Sequence, residues 1–518
     1  MTRHSEASPI VIAIDLGTSS VRALAFDARC EVLEGTEAQV PYSLKTGTDG
    51  TAEADPKILE ALTAEAVDGC LAHLGRRSKA VAAVAMTSFW HGLMGVDREN
   101  RPLTPAYSWA DTRSASDAAL LRREVDEPGQ LHRTGCRIHS SYWPAKLRWL
   151  RRTSPGVFSS VDRWCGFSEH LLRGWCEQGS TGVSISMASG TGMLDVHELD
   201  WDAATLVASG IRRDQLSPLV PANSGGRLGR TMADRWPALA EVPWYPALGD
   251  GACANVGSGA IGPGRIAITI GTSGAMRLIL PAPRDRRWVA APELWAYRLD
   301  EERAVLGGAL SNGGNLIAWM RSTLQVTGGS DLEESAARIA PDDHGLTFLP
   351  FLAGERSPKW HDQADGVIAG LRLSTTSAAI YRAGLEAAAF RFGAIYADLL
   401  PLADTHHQII ANGGALLQSP LWLQITADVL GHDVLALPPT EEASARGSAA
   451  MALVSIGVVH SLADLPDPAD KARAIRSDTR RHEVYRQAAK RQALLEQQLI
   501  GRDSTWHQSG VQQNGEPR

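Results

Sequence analysis

The 518-residue sequence predicts an α/β protein made of two domains of similar size. Three observations carry that expectation. The chain exceeds the roughly 250–300 residues at which one hydrophobic core stops growing. IAIDLGTSSVRALAF (residues 12–26) and IAITIGTSGAMRLIL (residues 266–280) align without gaps, Gly17 on Gly271, an offset of 271 − 17 = 254. In both halves, short apolar runs alternate with helical periodicity, the pattern of α/β domains.

Residues 10–16 and 21–26 are apolar runs around Gly17-Thr18-Ser19, which reads as a β-hairpin, and residues 266–270 and 276–280 read the same way around Gly271-Thr272-Ser273. Residues 81–85 form a further strand. Residues 377–400 read as a long helix interrupted only by Gly384 and Gly393, followed by helices at 421–430 and 443–458. The Gly-rich stretch NVGSGAIGPGR (residues 255–265) marks the boundary, which gives domains 1–254 and 255–500. The polar segment 501–518 is expected to be a mobile tail. GSGAIG (residues 257–262) matches G-x-G-x-x-G, but Pro263 and a strand follow it, so it reads as a linker and not as a dinucleotide site.

Composition narrows the function. With 44% hydrophobic and 21% charged residues the chain is ordinary globular material, and its net charge of −7 opposes a nucleic-acid partner. No apolar run approaches the ~20 residues of a membrane span. MTRHSEASP lacks the apolar core of a secretory signal, and the six cysteines contain no CxxC. These features predict a cytoplasmic protein with reduced thiols, acting on a small molecule without membrane or nucleic acid; a homodimer is compatible with them.

The hairpins suggest the chemistry. Gly-Thr-Ser in a tight turn offers close backbone approach, N–H groups and hydroxyls to phosphate oxygens; a plain surface turn is the alternative, and the repeat argues against it. Asp15 interrupts an apolar strand, where an unpaired carboxylate is costly and Mg²⁺ can use it through water. Arg22 can add positive charge. Asp250, in GDGACANVG (residues 249–257), suits a base that takes a hydroxyl proton at an interdomain cleft, though a turn aspartate also fits. Gly413-Gly414-Ala415 between a strand and a helix would let a flat ring lie on backbone, or is simply a tight connection. GGALSNGGN (residues 307–315) has the same character. His91, Asp111 and Arg113, near Trp90 and Trp109, could converge on a polyhydroxylated substrate; a structural ion pair and core tryptophans are the other reading. Lys146, beside Trp143, reads equally as a surface lysine.

In order, DLGTSSVRA, HG after a strand, WADTR, SGTGMLD, GDGACANVG, IGTSG, FLPFLAGERSP and NGGALLQSPLWLQITADVLG resemble the FGGY carbohydrate kinase family over nearly the whole chain. The resemblance implies two actin-like ATPase (ribonuclease-H-like) domains with an active-site cleft between them, using ATP and Mg²⁺. It implies Asp15 as the Mg²⁺-site acid and Asp250 as the base. Gly17, Thr18, Ser19 and Arg22 then form the first phosphate loop, and Gly271, Thr272 and Ser273 the second. Gly314, Gly413, Gly414 and Gln418 lie near the nucleotide, and Trp90, His91, Asp111, Arg113, Ser141 and Lys146 near the substrate. Within the family, Trp90-His91, HSSYWPAK and SNGGN are most similar to gluconokinases, with a xylulokinase or other ketose or polyol kinase as the alternative. A more remote alternative is an actin-like ATP switch without a sugar site. Gluconate carries a carboxylate, so the pocket should offer a cation, for which Lys146, Arg113 and protonated His91 are candidates.

Overall fold

Both halves are built on one sheet plan. In the first, Ile10–Leu16 and Ser20–Phe26 form an antiparallel hairpin and Ala38–Pro41 pairs with its outer strand. Val81–Ser88 and then Leu248–Gly249 continue in parallel on the inner side. In the second, Arg265–Ile270 and Gly274–Pro281 form the hairpin and Arg303–Leu310 takes the outer side. Gln408–Asn412 and Val434–Ala436 take the parallel side. Trp295–Arg298 and Arg473–Ile475 widen this second sheet to seven strands. The computed structural model describes residues 8–177, 182–284, 288, 291–324, 331–361, 364–439 and 442–500, so the expected tail lies outside the described residues.

The strands are nearly continuous apolar runs because both faces of each sheet are covered. In Ile10–Leu16 every residue is buried except Asp15, which is partly exposed. The helices follow the sequence pattern closely. Ser377–Leu399 starts at Thr376, whose hydroxyl accepts the Ala379 N–H at 3.2 Å. Pro420–Leu430 starts at Ser419, whose hydroxyl accepts the Trp422 N–H at 3.1 Å, and stops at Gly431 with φ +62°.

Two elements depart from the expected layout. Asp250–Gly257 is a helix that runs through the expected division at 254/255, so the connection to the second sheet begins only after it, at Gly259 and Gly262 with φ of +72° and +85°. Helix Ala443–Ser455, counted with the second half by its place in the chain, packs into the core of the first. Ala445, Ala449 and Leu453 share that core with Ile12, Ile14 and Ala83. Alternation of apolar residues shows that such a helix is buried, but not against which sheet.

These two helices meet backbone to backbone. A Cβ on Gly257 would stand 1.8 Å from the Ala443 carbonyl oxygen, and one on Gly447 1.9 Å from that of Cys253. Arg446 fastens the crossing by donating to the carbonyls of Gly257 at 2.8 Å, Cys30 at 3.2 Å and Pro466 at 2.8 Å.

Among the described residues no helix is long and apolar enough to cross a membrane. All six cysteines are buried and form no disulfide.

The crossing makes a stability prediction. Gly447→Ala must push two backbones apart and is expected to cost about 1–3 kcal/mol, read as a lower urea midpoint with unchanged slope. Gly156→Ala, in helix Pro155–Ser160 where nothing lies within 4 Å of the new carbon, is expected to leave the midpoint unchanged or raise it.

Candidate active site

The two Gly-Thr-Ser turns close alike. The Gly17 N–H donates to the Ser20 carbonyl at 3.1 Å, and the Gly271 N–H to that of Ser273 at 3.0 Å. The first turn is braced by Tyr42, whose hydroxyl donates to the Gly17 carbonyl at 2.6 Å. The second is braced by the start of helix Gly314–Thr323. There the Gly314 and Asn315 N–H groups donate to the carbonyls of Gly271 at 2.8 Å and Thr272 at 3.0 Å. Gly413, at φ +93°, brings the third glycine loop against this turn; a Cβ there would be 2.6 Å from the Ile270 carbonyl oxygen. A Cβ on Gly314 would be 2.8 Å from that of Ala415. The turn at Gly414 is closed by the Gln418 N–H, which donates to the Gly414 carbonyl at 3.1 Å. Gly271–Ser273, Gly313–Gly314 and Gly413–Ala415 thus form one floor of backbone, which a flat ring and phosphate oxygens can approach closely.

Asp15 and Asp250 lie at the carboxyl ends of the two strands that flank Val81–Ser88. Asp15 stands opposite Arg22 across the hairpin and beside Thr87 on the parallel strand, and Thr87 in turn pairs with Leu248, two residues before Asp250. Burial pushes Asp15 up to about 7, with Arg22 pulling it down and Asp250 and Glu442 pushing further up. Burial also raises Asp250, against Arg277 and the backbone N–H groups of Gly251 and Trp90. The Gly251 N–H reaches the Asp250 carboxylate at 2.8 Å. A carboxylate pushed up by desolvation and by a second carboxylate nearby is the kind of donor a hard divalent cation satisfies, so Asp15 fits Mg²⁺. Arg22 is an ion-pair partner of Glu442, immediately before helix Ala443–Ser455.

The substrate-side residues divide into those that converge and those already occupied. The Trp90 ring fills the space over the glycines around Asp250: a Cβ on Gly249 would be 1.9 Å from it, and one on Gly251 2.7 Å. Its indole N–H donates to the Ser186 carbonyl at 2.9 Å, which fixes the ring beneath the carboxylate. His91, at φ +69°, accepts at Nε2 from the Arg356 guanidinium at 3.1 Å, so Nδ1 carries the hydrogen that it shares with the Gly190 carbonyl. Burial, then the charge of Arg356, holds His91 well below its ordinary 6.5. It is therefore neutral, which corrects the expectation of a protonated His91.

Asp111 and Arg113 form an ion pair completed by Glu53, with guanidinium–carboxylate distances of 2.6 Å to each acid. Asp111 also accepts the Ala52 N–H at 3.0 Å, and Arg113 lies 4.7 Å from the Trp149 ring centre. Arg113 is saturated. Lys146 is buried, not on the surface, and its ammonium donates to the Ser141 carbonyl at 2.6 Å. The Ser141 hydroxyl and N–H both face His139 Nδ1, at 3.0 and 3.1 Å.

Sequence reasoning missed three residues that the fold brings here from the second half. Arg277, on Gly274–Pro281, is part-buried with its Nε packed beside Gly251, and desolvation lowers it to about 10. Arg356, within FLAGERSP, reaches His91. Tyr297 meets Tyr142 hydroxyl to hydroxyl at 2.5 Å and stacks on Trp295 at 4.2 Å. The motif around Arg356 was visible; its contact, 265 positions away in the chain, was not.

Known proteins match this arrangement. The N-terminal domain of the FGGY family of carbohydrate kinases matches residues 10–257, and the C-terminal domain residues 266–456. A gluconokinase of Bacillus subtilis (strain 168) is 29% identical over 471 residues, spanning 88% of this chain and 90% of the relative. The crystal structure of gluconate kinase from Lactobacillus acidophilus superposes with a TM-score of 0.84 at 23% identity, covering 96% of this chain and 99% of that one. A ligand-bound xylulose kinase from the same organism gives 0.83 at 22% identity, covering 95% and 99%. At those identities the two structures speak for the fold alone. The repeated sheet plan is that of two actin-like domains, and with both family domains matched in order the chain belongs to the FGGY family of ATP-dependent carbohydrate kinases.

Proposed function

We propose that this kinase phosphorylates D-gluconate, giving 6-phospho-D-gluconate and ADP. The observation that carries the reading is charge. Arg356 is buried and Arg277 part-buried, each against residues of the first half, and among the described residues neither forms an ion pair. Other buried arginines are satisfied by carboxylates or by several backbone carbonyls: Arg382 by Glu386, Arg391 by Glu355 and Glu496, Arg298 by the carbonyls of Val196 and Ala282, and Arg446 by those of Gly257, Cys30 and Pro466. A neutral ketose or polyol leaves the excess positive charge beside His91 unbalanced; a sugar acid balances it. The kinship with gluconokinases at 29% identity points the same way.

The residues divide the work. The two Gly-Thr-Ser turns hold the phosphates of ATP from opposite domains, and the glycine floor at Gly314 and Gly413–Gly414 takes the nucleotide. Mg²⁺ bound through Asp15 would offset charge on the phosphate oxygens. Asp250, aimed by the Gly251 amide and the Trp90 ring, accepts the proton of the substrate's terminal hydroxyl. That oxygen bonds to the γ-phosphorus, the bond to the bridging oxygen breaks, and ADP leaves with the electron pair.

The direct test is ADP release with Mg-ATP and D-gluconate, D-xylulose, glycerol or no substrate, with strong turnover expected for gluconate alone. A response to xylulose instead would overturn the gluconate reading and keep the kinase. Asp250→Asn is expected to lower kcat by roughly 10²–10⁴-fold with little change in KM for ATP. Because the raised pKa of Asp250 governs the ionised base, kcat should fall on the acid side in the wild type. Asp15 behaves oppositely in stability and activity. Its folded pKa of about 7 lies above the ordinary 3.8, so burying the carboxylate costs most above pH 7, and the cost fades as the pH falls toward 4. Asp15→Asn should therefore raise unfolding free energy by roughly 2–4 kcal/mol at pH 8, lose that gain in acid, and abolish kinase activity.

A further inference from the structure

We infer that Arg356 binds the carboxylate of the substrate and, because it belongs to the second domain, ties domain closure to the substrate's negative charge. This rests on the sugar-acid reading above.

Arg356 is 7% exposed. Its guanidinium crosses to the first domain, 3.1 Å from His91 Nε2 and 5.9 Å from the Trp109 ring centre. Its Nε is buried with no hydrogen-bond partner. His91 is neutral, so the contact supplies no counter-charge. The loop that carries Arg356 is held to its own domain on both sides. Glu355 pairs with Arg391, and the Ser357 N–H donates to the Ala309 carbonyl at 2.9 Å.

The other cations are committed elsewhere. Arg113 is saturated by Asp111 and Glu53. Lys146 donates to the Ser141 carbonyl. Arg277 lies on the Gly251 backbone, where its charge acts on Asp250. Among the described residues Arg356 is paired with no carboxylate, and it reaches across to His91 on the substrate side.

Closing the cleft without an anion seals this guanidinium against a neutral imidazole, which is costly. Closing it over a carboxylate forms a charge-assisted pair with the unpaired Nε edge and offsets that cost. A neutral sugar of the same length cannot do this. The acid group is then read by the domain opposite the one that carries the base, and ATP turnover without a sugar acid is suppressed by the same unfavourable burial.

The test pairs D-gluconate with D-gluconamide, which keeps the hydroxyls and replaces the carboxylate with a neutral amide. Wild-type kcat/KM is expected to favour gluconate by about 100-fold. In Arg356→Met the preference should collapse to about 5-fold or less, through loss on gluconate, with KM for ATP unchanged; Arg356→Lys should restore part of it. X-ray scattering of the wild type with ADP should show compaction on adding gluconate and none with gluconamide, a readout that needs no variant to fold. If Arg356→Met loses both substrates equally or keeps full discrimination, or if gluconamide compacts the wild type as gluconate does, Arg356 does not read the carboxylate, while wild-type gluconate activity would still stand. A wild type that prefers a neutral ketose would remove the sugar-acid reading itself, and this inference with it.

Discussion

The contact between helices Asp250–Gly257 and Ala443–Ser455 sets the position of everything else in the cleft. Gly257 and Gly447 let the two backbones touch, so neither helix can slide without breaking the hydrogen bonds of Arg446. One helix begins with the carboxylate that faces the cleft. The other is preceded by Glu442, which pairs with Arg22 on the first hairpin. The crossing therefore fixes Asp250 and the first Gly-Thr-Ser hairpin in one frame. Trp90 completes that frame from below, and the glycines beside Asp250 exist because a ring occupies the space their side chains would need.

Around this frame the molecule concentrates its electrostatic strain. Elsewhere Arg391 is matched by Glu355 and Glu496. At the cleft, burial and Asp250 push Asp15 up, while among the described residues Arg356, buried, and Arg277, part-buried, form no ion pair. Such an arrangement is unfavourable by itself and becomes favourable when a dication and anionic ligands enter.

Much of this was legible in the sequence, for identifiable reasons. The hairpins could be read because continuous apolar runs and a Gly-Thr-Ser turn are local, and their repetition removed the accidental reading. Asp15 could be read because a carboxylate in an apolar strand violates a local rule. Arg356, Arg277 and Tyr297 could not be read, because their importance lies in contacts between halves, and nothing around Arg356 encodes its distance from His91. Arg113 shows the converse. Its place beside Asp111 was visible, but only the fold shows Glu53 completing the pair and occupying the cation. Lys146 reads as a surface residue in the sequence, where a lysine in a polar-rich helix gives no sign of the burial that the fold imposes on it.

The route of the chain has a consequence for synthesis. The sheet of the first domain is finished by Leu248–Gly249, yet one of its faces is covered by Ala443–Ser455. A ribosome emitting residues in order leaves that face without its cover while nearly 200 further residues appear. The first domain cannot finish folding on its own, and the second is produced while the first is incomplete. Both domains mature together, late in translation, and a chain cut short before residue 443 retains both phosphate hairpins but exposes an apolar sheet face that invites aggregation.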